Sequence, residues 1–216
     1  MKLYEFGPTR SIRARWMLQE LGVEFESIAV NLPAGEHHRA NFLQLNPAAK
    51  IPVLVDGGLI LTESAAIVIY LAEKYRDRGF IPADPGARAD YYRWILFAVT
   101  ELEQPLWRIA RHTLLYAQAD RSPADVALAA RDFAPMATVL ENHMRGRAYV
   151  VGEGVTAADF VVAYTLDWAG EAKLLSECPR LRSYVERMYA RPRAPRRIAE
   201  YLRATRAGDT VATASA

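Results

Sequence analysis

Hydrophobic positions recur with two different periods along the chain, and the change falls near residue 80. In the first eighty residues short apolar runs alternate with amphipathic stripes. Lys2–Phe6 reads as a strand closed by Gly7-Pro8. Ala14, Met17, Leu18 and Leu21 stand at i, i+3, i+4 and i+7, which predicts a helix over 11–21 with Gly22 as its stop. Phe25–Val30 is strand-like, and the polar stretch from Gly35 to Leu45 predicts a short helix that Asn46-Pro47 breaks. Val53-Leu54-Val55 and Leu59-Ile60-Leu61 flank Asp56-Gly57-Gly58 and predict a hairpin. A helix follows from about Ser64 to Arg76, with Ile67, Tyr70, Leu71 and Lys74 on one stripe. The order is β-α-β-α-β-β-α. Two parallel-type crossovers and then a hairpin imply a mixed sheet with helices on both faces.

Beyond that point the strand period disappears. The stretch from Gly79 to Pro85 holds two prolines and reads as a linker. Ala87–Tyr116, Pro123–Arg145, Ala157–Lys173 and Pro179–Arg191 then read as helices, with Pro105 expected to kink the first. Thr156 and Asp159 have the spacing of a capping box, the acid bonding back to the cap backbone. The expected organisation is an α/β domain over 1–78, a linker over 79–86, an all-helical domain over 87–206 and a frayed, disordered tail over 207–216.

Composition narrows the function classes. The chain of 216 residues is 51% hydrophobic, enough for a sizeable core. The apolar run Ala65 to Ala72 is far too short to span a bilayer, and MKLYEFGPTR carries no apolar signal region, so a cytoplasmic protein without membrane association is expected. The single cysteine, Cys178, excludes an intrachain disulfide and a CxxC motif, and four scattered histidines predict no metal site. Net charge is +2; the basic excess, ten Lys or Arg against three Glu from Lys173 to Arg206, reads as a solvated face rather than a nucleic-acid surface.

Two features go beyond what a hairpin needs. Pro52 cannot donate to a ladder and sits where a strand begins, a position suited to a cis bond or simply to ending the loop. In the first case Ile51 presents its backbone outward, able to pair with an extended peptide. Thr62-Glu63-Ser64 opens the third helix, whose free N–H groups and positive dipole end attract anions. Ser64 offers a hydroxyl to a carboxylate and Glu63 a carboxylate to an ammonium, together the two charges of an α-amino acid head group. Alternatively Thr62 or Ser64 is an N-cap and Glu63 a first-turn acid.

Asn46-Pro47-Ala48-Ala49-Lys50-Ile51-Pro52-Val53-Leu54 followed by Thr62-Glu63-Ser64-Ala65-Ala66-Ile67 resembles the glutathione-binding region of cytosolic glutathione transferases, and the resemblance extends to about Tyr201. It implies a thioredoxin-like domain followed by a helical bundle. It also implies that Ile51 bonds the cysteinyl backbone of glutathione, that Glu63 and Ser64 hold its γ-glutamyl end, and that Lys50 and His37 reach its glycine carboxylate, with His38 an alternative to His37. Catalysis then needs the thiolate of glutathione as nucleophile. Thr9, four residues before Arg13, matches the spacing of a catalytic hydroxyl; Ser11 is the alternative, or else the N-cap of the first helix. Arg10 and Thr9 stand where the beta and omega classes carry a cysteine, and Pro8-Thr9-Arg10 does not match the Ser-Ser-Cys run of the zeta class.

The resemblance further implies a homodimer, with Tyr91-Tyr92-Arg93-Trp94 as interface anchors, and an electrophile pocket at the start of the helical domain. Trp107, Arg108, Arg111 and His112, with Tyr116 beyond, suit a planar or anionic electrophile; alternatively Trp107 is core and the arginines face water. The expected activity is conjugation of glutathione to a small electrophile in detoxification. A glutathione-dependent isomerase and a non-catalytic glutathione-binding module are the alternatives.

Overall fold

A computed structural model describes residues 1–206. The tail from Ala207, expected to fray, lies outside them. The chain forms two compact units, Met1–Phe80 together with the segment that begins at Tyr189, and Ile81–Met188. The expected helical domain ran on to residue 206; the segment from Tyr189 groups instead with the first unit.

The first unit contains β1 (Lys2–Glu5), α1 (Ser11–Leu21), β2 (Glu26–Ala29), α2 (Ala40–Leu43), β3 (Val53–Asp56), β4 (Leu59–Leu61) and α3 (Ser64–Lys74). This is the expected β-α-β-α-β-β-α order. The sheet runs β2-β1-β3-β4, with β1 parallel to β2 and antiparallel to β3, and β4 antiparallel to β3. The sheet is mixed as expected, but the second crossover does not produce a parallel strand. The reason is length: α2 has four residues and rises about 6 Å, too little to carry the chain back along the sheet. The chain re-enters the sheet from the end at which β2 left it.

Strand alternation divides the residues between two faces. Tyr4, Phe6, Val30, Ile51 and Val53 pack with Phe42 of α2 on one face. On the other, Leu3 and Leu54 are buried, as are Trp16, Met17 and Leu18 of α1 and Ile67, Val68 and Leu71 of α3. Glu5 points to this second face and is buried as well. Arg15 of α1 pairs with it, its Nε donating to Oε2 at 2.9 Å, and the Ser27 hydroxyl donates to Oε1 at 2.6 Å. Gly22 ends α1 with φ 66°, the left-handed conformation that glycine adopts without a side-chain penalty.

The returning segment carries α9 (Ile198–Arg206). Tyr189 stacks on Trp16 with ring centroids 4.6 Å apart. Arg191 forks onto Glu20 at 2.6 and 2.7 Å, and Arg193 donates to the Gln19 and Glu20 carbonyls at the end of α1.

The second unit contains α4 (Pro85–Phe97), α5 (Glu103–Ala110), α6 (Pro123–His143), α7 (Ala157–Glu171) and most of α8 (Pro179–Tyr189). Asp84 and Ser122 cap α4 and α6 by accepting from Ala87 and Asp125 N–H. Between α4 and α5 the helix widens into a π turn over Ala98–Leu102. Pro105 accounts for it: a proline lacks the N–H for the carbonyl of Glu101, and its ring crowds that carbonyl. The expected kink is thus taken up as a wider turn. Asp159 closes the expected capping box, accepting from Thr156 N–H at 2.8 Å, and also accepts from Val150 N–H and the Tyr184 hydroxyl at 3.0 and 2.9 Å. Glu141, buried on α6, caps α8 by accepting from Arg180 and Leu181 N–H. Tyr91 and Trp94, expected as interface anchors, are buried within the single chain at 0% and 2% exposure. They sit three residues apart and face the core, which leaves Tyr92 and Arg93 on the outer side.

Candidate functional site

Strand register brings three separate segments to one edge of the sheet. Tyr4 pairs with Val53 and Leu54 with Leu61, so the exit of β1, the entrance of β3 and the exit of β4 lie together. The Gly7–Ser11 turn, Lys50-Ile51-Pro52 and Thr62-Glu63-Ser64 follow from these three ends. The loop after β2, which holds His37 and His38, leaves from the same edge because β2 is parallel to β1.

Both X-Pro bonds at this edge, Gly7-Pro8 and Ile51-Pro52, are cis; the sequence raised the second only. Ile51 is buried against Phe42 and Val53. The turn before it is closed by Asn46, whose Nδ2 donates to the Lys50 carbonyl at 2.7 Å and whose Oδ1 accepts from Ala48 N–H at 3.0 Å. Lys50 is exposed.

Ser64 is the first residue of α3 and is 5% exposed. Its hydroxyl accepts from Arg13 Nη1 of α1 at 3.1 Å, and Arg13 is itself buried. Sequence reasoning used Arg13 only as a spacing marker; its side chain forms the floor under Ser64. Glu63 precedes the helix at φ 65°, ψ 112°. That region costs a non-glycine residue on the order of 1–3 kcal/mol and is held only where surrounding structure dictates it. The Glu63 carbonyl accepts from Ile67 N–H at 2.9 Å, while its side chain remains exposed. The glutamate is thereby turned toward solvent beside the free first-turn amides of α3.

At the β1 exit, the Thr9 hydroxyl makes a short hydrogen bond to the Phe6 carbonyl and lies 2.8 Å from Ser11 Oγ. Thr9 Oγ1 also accepts from Ser11 N–H at 3.2 Å. Ser11 is the first helical residue and not the N-cap, which is Arg10 without a side-chain cap; Thr9 takes the first helical amide from the turn before it. Thr9 is half-buried, whereas Ser11 is 1% exposed. In the β2 loop, Nδ1 of His37 is buried without a hydrogen-bond partner and its ring stacks on His38 at 3.9 Å. Burial, and then the charge of His38, hold its pKa below the usual histidine value.

The four residues expected around an electrophile all lie on α5 and the π turn after it, Arg111–Leu115. They divide into two pairs. Arg108 is bound by Asp125 and Asp132 of α6. His112 accepts from Ser122 N–H through Nδ1 at 3.2 Å, so its Nε2 carries the proton toward Asp125 at 3.1 Å. Trp107 meets Trp168 edge-on at 6.0 Å, and the Arg111 guanidinium lies 5.5 Å above the Trp107 ring. Partners 17 and 24 residues away give no sequence signal, so the acid pair on α6 was not anticipated. Among the described residues no helix is long and apolar enough to cross a membrane, and no three His, Cys, Asp or Glu side chains are grouped as a metal would require.

The chain matches the model of the glutathione S-transferase N-terminal domain over residues 1–73 and that of the glutathione S-transferase C-terminal domain over 110–205. The chain belongs to the glutathione S-transferase family. A glutathione S-transferase of Dianthus caryophyllus is 35% identical over 167 residues, 76% of this chain and 74% of that one. Glutathione S-transferase F9 of Arabidopsis thaliana is 29% identical over 212 residues, 93% of this chain and 98% of the relative. A glutathione transferase of Burkholderia graminis, solved with two glutathione molecules bound per subunit, matches with TM-score 0.80 at 22% identity, over 99% of this chain and 89% of that one. The transferase thus has the family's fold, a thioredoxin-like unit followed by helices.

Proposed function

We propose that this transferase conjugates glutathione, as thiolate, to a small electrophile. The observation that carries the reading is the convergence of an outward-turned Glu63, a Ser64 hydroxyl floored by Arg13, and a Thr9–Ser11 hydroxyl pair on one sheet edge. Ser64 and the α3 amides take the γ-glutamyl carboxylate, and Glu63 takes its ammonium. The Ile51 backbone pairs with the cysteinyl residue, Pro52 shapes that edge, and Lys50 and His37 take the glycine carboxylate. Thr9, the more accessible hydroxyl, releases Phe6 and donates to the thiolate, while Ser11 donates to Thr9 in turn. Trp107 and Arg111 offer an aromatic face and a cation to the electrophile; Arg108 and His112 brace that face to α6. The electrophile itself stays a class, planar or anionic. The assembly proposed is a cytoplasmic homodimer.

Isothermal titration with glutathione tests the binding half. Losing a hydrogen bond to a charged ligand group costs about 1.5–3 kcal/mol, so Ser64→Ala is expected to weaken binding about tenfold or more. Unchanged affinity in both Ser64→Ala and Glu63→Ala would sink the assignment. Turnover of an electrophile panel separates conjugation from a binding module. Isomerisation without net consumption of glutathione marks the isomerase alternative. Light scattering at micromolar concentration reads the dimer, which a monomer mass contradicts.

A further inference from the structure

Gly7 begins the turn that carries Thr9 and Ser11, and Tyr201 of α9 lies directly on it. A methyl group added at Gly7 would stand 2.3, 2.5 and 2.8 Å from three ring carbons of Tyr201. Gly7 does not have a positive φ, so glycine is required there by the approaching ring and not by backbone conformation. Tyr201 is 7% exposed, which fixes the ring. The Glu5–Arg15 ion pair lies close enough for both charges to act on the Tyr201 phenol, and Glu5 ends the strand that leads into the turn. The same segment holds the other end of α1 through Arg191 on Glu20 and Arg193 on the Gln19 and Glu20 carbonyls.

We infer that Tyr201 is a positioning residue for the Gly7–Ser11 turn: its ring, pressed on Gly7, sets where the Thr9 hydroxyl points. The C-terminal segment is thus part of the catalytic scaffold of the first unit, gripping α1 at its last turn with two arginines and the approach to its first turn with an aromatic ring. The inference rests on the proposed role of Thr9 for its catalytic consequence, but its structural content stands apart from glutathione. Hydrogen exchange reads that content directly. The Ile12 and Arg13 amides donate to Thr9 and Arg10 carbonyls, and Ser11 N–H to Thr9 Oγ1, so these three amides report the turn.

The full chain and Tyr201→Ala, Tyr201→Phe, Gly7→Ala, Gly7→Ala/Tyr201→Ala and Leu202→Ala are compared by amide exchange and by ultraviolet thiolate absorbance of bound glutathione against pH. In Tyr201→Ala the Ser11, Ile12 and Arg13 amides are expected to exchange about tenfold faster, while the β3–β4 hairpin amides stay within about twofold. The bound thiol pKa is expected to rise by about one unit, with glutathione affinity changed less than about threefold. Tyr201→Phe and the exposed-site control Leu202→Ala should match the parent chain. Gly7→Ala should show the same defect as Tyr201→Ala, and the double variant should be no worse than either single variant, since all three disrupt one contact. Unchanged exchange at the three amides in Tyr201→Ala overturns the inference, as does a Tyr201→Phe variant no better than Tyr201→Ala, which would move the role from ring to hydroxyl. If the parent chain binds no glutathione, the functional reading falls while the exchange results still decide the role of Tyr201.

Discussion

Arg13 Nη1 donates to Ser64 Oγ across 3.1 Å, joining the first turn of α1 to the first residue of α3 with both side chains buried. The two helices therefore present their N-termini at one sheet edge in fixed relation. A guanidinium beneath a serine hydroxyl occupies one of its lone pairs and leaves its proton free to donate outward. It also places a buried positive charge below the point where two helix dipoles favour an anion.

Replacing Arg13 separates these effects. In Arg13→Met the chain keeps the packing volume but Ser64 loses its donor. Urea unfolding is expected to show a loss of about 1–3 kcal/mol, and titration a glutathione affinity lowered about tenfold. Arg13→Lys should recover little, since a single ammonium does not reproduce the planar fork. A folded Arg13→Met variant with parental glutathione affinity would show that Ser64 needs no floor.

Glu63 sets side-chain function against backbone comfort. Its φ of 65° suits glycine, yet glycine cannot supply a carboxylate. Glu63→Ala and Glu63→Gly remove the same carboxylate and differ in the backbone they permit. Glu63→Gly is expected to be more stable than Glu63→Ala by about 1 kcal/mol, read by chemical denaturation, and both should lose glutathione affinity equally. Equal stabilities would mean that the conformation is not strained.

Buried Asp159 collects the backbone of Val150 and Thr156 together with the Tyr184 hydroxyl. Asp159→Ala leaves these three donors without their acceptor, at about 1–3 kcal/mol each. That is comparable with the whole stability of an ordinary domain, so little soluble protein is expected. Asp159→Asn keeps the shape and one acceptor oxygen and should lower the melting temperature while remaining folded. Parental yield and melting temperature for Asp159→Ala would refute the account.

Much of this could be seen in the sequence because it is local. The α1 stripe and Gly22, the Gly57-Gly58 hairpin, and the Thr156 and Asp159 pair each lie within one turn or one strand pair, where periodicity and propensity decide. The ligand-binding reading of that edge rests on the resemblance to glutathione transferases; the residues alone leave Glu63 and Ser64 open between ligand site and cap. What escaped depends on contacts distant in sequence. Nothing in Arg13 points to Ser64, nothing in Arg108 to Asp125 and Asp132, and nothing in Gly7 to Tyr201. The antiparallel β3 escaped for another reason: its direction depends on how far α2 carries the chain, and the polar stretch from Gly35 to Leu45 does not reveal that only four of its residues form the α-helix.

His143 makes stability depend on pH in the helical unit. Its ring lies against Trp94 at 4.2 Å, and its Nε2 donates to the Val150 carbonyl at 2.8 Å. Burial, the largest influence, holds its pKa below the ordinary value, with Arg147 and Arg93 adding to the effect and the Val150 bond and Asp90 opposing it. The folded state therefore binds this proton less readily than the unfolded chain, so protonation favours unfolding. Stability should be fully present above the unfolded histidine pKa of about 6.5 and should fall as pH drops from there toward the lower folded value. Melting temperature measured between neutral and mildly acid pH should decline more steeply in the parent chain than in His143→Gln. Parallel curves would place the acid sensitivity elsewhere.

The Thr9 hydroxyl is the group on which thiol activation is proposed to turn. It is half-buried, bonded to the Phe6 carbonyl and 2.8 Å from Ser11 Oγ, so moving its proton to a sulfur exchanges one acceptor for a charged one. A hydrogen bond to a charged group is worth about 1.5–3 kcal/mol, and one pKa unit is about 1.4 kcal/mol. Thr9→Val keeps the branched shape and removes the donor. The pKa of the bound glutathione thiol is then expected to rise by about one unit or more, followed by ultraviolet thiolate absorbance against pH. Glutathione affinity should change much less, because in the proposed function the ends of the tripeptide are held by Ser64, Glu63, Lys50 and His37. Ser11→Ala removes only the supporting hydroxyl and should raise the pKa by a smaller amount. If Ser11→Ala moves the pKa and Thr9→Val does not, the two hydroxyls exchange roles. If neither moves it, the backbone amides and dipole of α1 activate the thiol without a side-chain donor.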